Sequence, residues 1–201
     1  MWHHVMNRVV EGNGWLSGEA DAVAFLASAR RAATELGIEV HAFAVLPRHY
    51  HLLLRASGER SLALVAALER AVAFPGYDAP LIRPVRGGRH LLGVSRYIHL
   101  NPVEARLVER PEDWPHSSFG AYLGDPSPEG FPVTDAVLAR FGTIGARHRY
   151  RAYVAAGLER GTRDLFGRAK EPADDPAWRI EPGLGARQAR RRGRAASPRI
   201  M

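Results

Sequence analysis

The sequence predicts an α+β domain: one antiparallel sheet with helices on one face, followed by a small helical extension and a disordered basic tail. Three observations predict it. Short β-branched or aromatic segments are bounded by Gly and Pro. Longer stretches between them repeat apolar residues at helical spacing. Beyond Glu181 the chain has no acid and six arginines.

Taken in order, residues 4–10 read as a strand, and Glu11-Gly12-Asn13-Gly14 as its turn. A helix follows over residues 18–36, with Val23, Phe25, Leu26, Ala29, Ala33 and Leu36 on its apolar stripe and Gly37 as its stop. Residues 38–46 and 49–55 form two antiparallel strands joined tightly through Pro47-Arg48. Ser61 is the expected N-cap of a second helix through Leu62, Val65, Leu68 and Val72. Residues 81–85 suit an edge strand, because Pro84 removes a ladder donor. A third helix runs from His90 to about Leu100, where Asn101-Pro102 kinks or ends it. This order suits a ferredoxin-like sheet.

Further on, Pro111 to Pro115 is an irregular link and Asp125 to Gly130 a turn-rich boundary. Thr134 is placed to cap a helix over residues 135–141, and another spans residues 145–158. The expected division is therefore 1–124 as the main domain, 125–170 as a helical accessory segment and 171–201 as an Arg-rich tail.

The 201 residues carry a formal charge of +7 and no cysteine. Disulfides and thiolate zinc sites are thereby excluded, and any metal must sit on His, Asp, Glu, Asn or Gln. Six tail arginines, from Arg187 to Arg199, hold +6 of that charge, leaving +1 for residues 1–186. A phosphate-binding tail and a merely solvated one fit equally. The N-terminus has no signal-peptide pattern and no apolar run approaches the roughly 20 residues of a spanning helix, so a cytoplasmic protein without a membrane partner is expected.

Two segments carry chemistry. In Leu46-Pro47-Arg48-His49-Tyr50-His51-Leu52, the strand period of two puts His49 and His51 on one face and Tyr50 on the other. Two imidazoles so placed can chelate a divalent ion, and equally can line a half-exposed sheet face. In Arg96-Tyr97-Ile98-His99-Leu100-Asn101-Pro102, Tyr97 and Asn101 are four apart and share a helix face. A phenol and an amide oxygen could then approach one metal-bound phosphate, and equally Tyr97 could pack its ring while Asn101 ends the helix.

Together these segments resemble the REP-associated tyrosine transposases, single-tyrosine insertion-sequence transposases of the HUH endonuclease superfamily. The resemblance begins at His4-Val5-Met6-Asn7-Arg8 and continues through residues 40–46 and the histidine pair. It resumes over residues 96–107 and again at 111–122 with Trp114 and Ser117-Ser118. It implies His49 and His51 as metal ligands, Tyr97 as nucleophile, Asn101 as the polar residue at the metal, and Mg²⁺ or Mn²⁺ as cofactor. The implied substrate is single-stranded DNA with palindromic or hairpin repeats, cut and rejoined through a 5′-phosphotyrosine, and the implied assembly is a homodimer. Arg8, Arg48, Arg83, Arg86, Arg89 and Arg96 are the expected DNA contacts.

The chain departs from the family pattern in two places. The stretch between histidine pair and tyrosine is compressed into residues 72–89, leaving Phe74, Tyr77, Arg83, Arg86 and Arg89 as remnants, and Arg48 stands where relatives commonly have Asn. The shortening keeps a second reading open, a hairpin-binding relative that cleaves little. A third is a small sheet protein with an incidental metal site.

Overall fold

The computed structural model describes residues 1–8, 18–71 and 79–159. The expected turn at residues 11–14, the aromatic remnants Phe74 and Tyr77, and the Arg-rich tail lie outside the described residues. The elements run β1 (Trp2–Arg8), α1 (Glu19–Glu35), β2 (Glu39–Val45), β3 (His49–Arg55), α2 (Gly58–Ala71), β4 (Leu81–Val85) and α3 (Gly87–Glu104). Then come a 3-10 turn at Pro111–Asp113, α4 (Phe119–Leu123), α5 (Asp135–Leu138), a second 3-10 turn at Ala139–Phe141, and α6 (Ala146–Glu159).

The four strands form one sheet in the order β2-β3-β1-β4, and every neighbouring pair is antiparallel. With α1 and α2 as crossovers this is the ferredoxin-like arrangement expected. One part of the expectation is corrected: helices cover both faces. Val5, Tyr50, Leu52 and Leu54 face α1 and α2, burying Phe25, Ala29, Leu64 and Leu68. Ala42, Ala44 and Leu53 face the other way, onto α3 through Leu91, Val94 and Ile98. The reason lies in β2 and β3, whose inner residues are buried at both parities and so need cover on both sides.

Helix ends differ from expectation in instructive ways. Ser57, not Ser61, caps α2, its Oγ accepting the Arg60 N–H at 3.3 Å. Ser61 lies inside the helix, where its hydroxyl reaches His3 Nδ1 at 3.1 Å. Helix α3 neither kinks into a stop nor ends at Pro102; it runs one turn further and closes on Arg106, which has φ +58°. Leu107 N–H donates to Pro102 O and Arg106 N–H to Val103 O, the paired bonds of a Schellman ending. Thr134 precedes α5 without a side-chain cap bond.

The segment after α3 is built into the same body. Residues 114–118 run beside β2: Val45 N–H donates to His116 O, and Trp114 Nε1–H to Val45 O. Val137, Tyr150 and Val154 share the apolar cluster of α3. Helix α6 approaches α3 so closely that a Cβ on Gly157 would sit 2.6 Å from Leu100 Cδ1. Among the described residues no helix is long and apolar enough to cross a membrane.

Candidate active site

Side-chain alternation on the two central strands decides which groups meet beneath α3. On β1, His3, Val5 and Asn7 point toward α2; His3 bonds Ser61, and Asn7 Nδ2–H donates to Glu69 Oε1 at 2.7 Å. His4 points the other way, toward α3. On β3, Tyr50 packs on Phe25 of α1 while His51 packs edge-on against Tyr97 of α3. Antiparallel register sets Met6 opposite His51 and Arg8 opposite His49, which makes His4 the diagonal neighbour of His51.

The resulting cluster is compact. His4 Nε2 lies 3.0 Å from His51 Nδ1, both rings being buried. The rings of His49 and His51 meet edge to face, centroids 5.0 Å apart. Tyr97 stands edge-on to both His51 and His4, at 5.3 and 5.8 Å. One turn along α3, Asn101 Oδ1 is 3.0 Å from His49 Nε2. The structure thus brings together His49, His51, Tyr97 and Asn101, although two lie on a strand and two on a helix. It adds His4, to which the sequence assigned no role of its own. Its place on the α3 face follows from strand period, but its pairing with His51 needs the β1–β3 register.

The donor set suits one hard divalent ion. Among the described residues no group of three His, Cys, Asp or Glu could hold a metal. A third protein ligand beside His49 and His51 would have to be another oxygen, and Asn101 Oδ1 is the one in reach. Two neighbouring ligands on an octahedral ion with bonds of about 2.1 Å are separated by about 3.0 Å, and His49 Nε2 and Asn101 Oδ1 stand 3.0 Å apart. Among the described residues Asn101 Nδ2 is buried with no hydrogen-bond partner, a further sign that the amide is aimed into a site completed by something else.

Burial sets the charge state of His4. His4 is pushed down to about 3 by desolvation, with Arg83 and His90 adding repulsion, so its ring is neutral at pH 7. Arg83 owes this influence to the β1–β4 register, which places it opposite His4.

The predicted arginines divide by position. Arg8 lies opposite His49, Arg48 is exposed in the turn just before it, and Arg83 is beside His4. Arg86 and Arg89 are exposed where α3 begins. Arg96 is turned away, its guanidinium 4.5 Å above the Tyr153 ring of α6.

A second polar group holds α3 from behind. His99 lies between Tyr150 Oη at 2.6 Å and Ser118 Oγ at 2.7 Å. Ser118 Oγ in turn accepts the Phe43 N–H at 2.8 Å and donates to Phe43 O at 3.2 Å. One proton arrangement satisfies every bond: Tyr150 donates to His99 Nδ1, and His99 Nε2–H donates to Ser118. The network ties β2 and α6 to the helix that carries Tyr97 and Asn101.

No protein-family model matches the chain, and no curated protein matches it in sequence. Among solved structures it is similar to a REP-associated tyrosine transposase bound to a REP hairpin, at TM-score 0.53. The chain has the fold of that transposase. The match spans 61% of this chain and 78% of the other at 17% identity, a likeness of architecture.

Proposed function

We propose that this chain is a metal-dependent tyrosine transposase that cuts and rejoins single-stranded DNA, with hairpin-forming repeats as its substrate. The observation that carries the reading is one constellation: Tyr97 edge-on to His51, with Asn101 Oδ1 3.0 Å from His49 Nε2. Its support is that the constellation sits in the fold of a protein solved with a REP hairpin.

The roles follow from the chemistry of each group. His49, His51 and Asn101 would hold Mg²⁺ or Mn²⁺, which when bound neutralises phosphoryl charge and favours phenolate. Tyr97 is the nucleophile, its ring fixed beside the histidine pair by His4 and His51. Its Oη forms a bond to phosphorus as the P–O3′ bond breaks; the phenol loses its proton and O3′ gains one. The product is a 5′-phosphotyrosine, which conserves the bond energy of the cut strand. A 3′-hydroxyl of another strand then attacks the same phosphorus, breaking the P–Oη bond and returning a proton to Tyr97. Arg8, Arg48 and Arg83, placed around the histidines, are suited to the phosphate backbone.

His49→Ala is expected to lose Mn²⁺ binding by at least about tenfold while remaining folded, because His49 is only half-buried at a strand end. His51→Ala loses binding too, and also stability, because it empties a buried site. Calorimetric titration with Mn²⁺ checks both, and wild-type affinity in both variants would overturn the ligand assignment. The shortened stretch before β4 favours one rival, a relative that binds hairpins without cutting them. That rival predicts Mn²⁺ and hairpin binding with no protein-linked strand on a denaturing gel.

A further inference from the structure

His4 has no part in the reaction as written, yet it touches two of the groups that do. Its Nε2 is 3.0 Å from His51 Nδ1, and its ring meets Tyr97 edge-on at 5.8 Å. The His4 and His51 rings are each about 1% exposed and lie 22° from parallel. Two imidazole nitrogens at this distance share a single proton, so one ring donates and the other accepts. The direction matters for a ligand. If His4 donates, a neutral His51 carries its own proton on Nε2 and has no free lone pair there. If His51 donates from Nδ1, its Nε2 lone pair is available to an ion.

We propose that His4 is a positioning residue for the metal centre: it accepts the Nδ1–H of His51, which orients that ring and makes His51 Nε2 the ligating atom. The inference rests on the reading of His51 as a ligand and adds to it an outer group supplied by another strand. Buried hydrogen-bond acceptors behind ligating imidazoles fix tautomer and orientation, and their loss typically weakens metal binding about 10–100-fold. The β1–β3 register sets this contact, because shifting β1 by one residue would turn His4 to the α2 face.

The test compares Mn²⁺ affinity, read from the electron paramagnetic resonance of free Mn²⁺, in wild type, His51→Ala, His4→Phe and His4→Gln. His4→Phe keeps a buried ring but cannot accept, and its affinity is expected to fall about 10–100-fold. His4→Gln offers an amide oxygen to the same N–H and is expected to recover about half of that loss on a logarithmic scale. A purely packing role would rank the variants the other way, with Phe the better substitute. In wild type with Mg²⁺, long-range ¹⁵N–¹H correlation is expected to show His51 protonated on Nδ1, a readout that does not depend on any variant folding. Wild-type affinity in His4→Phe alongside loss in His51→Ala overturns the role of His4 alone, whereas His51 protonated on Nε2 overturns its ligation and the role of His4 together. Wild-type affinity in His51→Ala overturns the metal site and this role with it.

Discussion

Tyr97→Phe is expected to abolish the covalent protein–DNA adduct, a loss of several orders of magnitude, while hairpin binding persists. The substitution removes one hydroxyl and keeps the ring, so the edge-on contacts to His4 and His51 and the packing beside Val94 and Ile98 remain. Water replaces a positioned nucleophile poorly, because the phenol is delivered by the fold and water is not. DNA binding rests on phosphate contacts and base stacking that the hydroxyl does not make. The measurement is a labelled single-stranded hairpin with Mn²⁺, assayed for a band that survives denaturation. Such a band from the Phe variant at wild-type yield would move the nucleophile elsewhere; Tyr50 is a poor candidate, because it faces Phe25 on the opposite side of the sheet.

His99→Ala is expected to cost about 2–5 kcal/mol, from the space the ring vacates and from the bonds it removes from two buried hydroxyls, of which the one on Ser118 keeps its bonds to Phe43. Those hydroxyls belong to Tyr150 and Ser118, and all three residues are at most 1% exposed. A loss of this size is a large share of the roughly 5–15 kcal/mol that holds a domain folded. Urea unfolding measures it, and a change below about 1 kcal/mol would show that the network contributes little.

The same residue makes stability depend on acid. Burial pushes His99 down to about 3 in the folded protein, below the ordinary 6.5 of an exposed histidine. The unfolded chain therefore takes up a proton first as pH falls. His99 contributes full stability above about pH 6.5 and loses it between there and about pH 3, at about 1.4 kcal/mol per pH unit. Unfolding free energies of wild type between pH 6 and pH 4 should fall more steeply than those of His99→Ala. Parallel slopes would mean that the ring is protonated in the fold or exposed to water.

Most elements were legible because local rules dictate them. The β3 and β4 boundaries follow from β-branched and apolar runs ended by Pro or Gly, and both match the observed spans. Misreadings fell where a local signal is outweighed, by a distant contact at Ser61 and by the closing bonds of the helix end at Pro102. Ser61 resembles an N-cap, yet its hydroxyl is taken by His3, 58 residues away, and Ser57 caps instead. Pro102 resembles a stop, yet a proline near a helix end forfeits only one bond, and the last turn is closed by Arg106 and Leu107. The expectation of a single covered face failed because α3 is apolar on a side that only the far face of β2 and β3 can bury.

For the site, the sequence alone determined two local pairings. Strand alternation puts His49 and His51 on one face, and helical spacing puts Tyr97 and Asn101 on another, because each is fixed by the repeat of a single element. Tertiary structure decided that the two faces meet, by docking α3 across the sheet through Leu53, Val94 and Ile98. It also decided that His4 joins them, through a strand register that brings residues 47 apart to 3.0 Å. No local periodicity encodes such a contact; it follows from which apolar surfaces the whole chain must bury together.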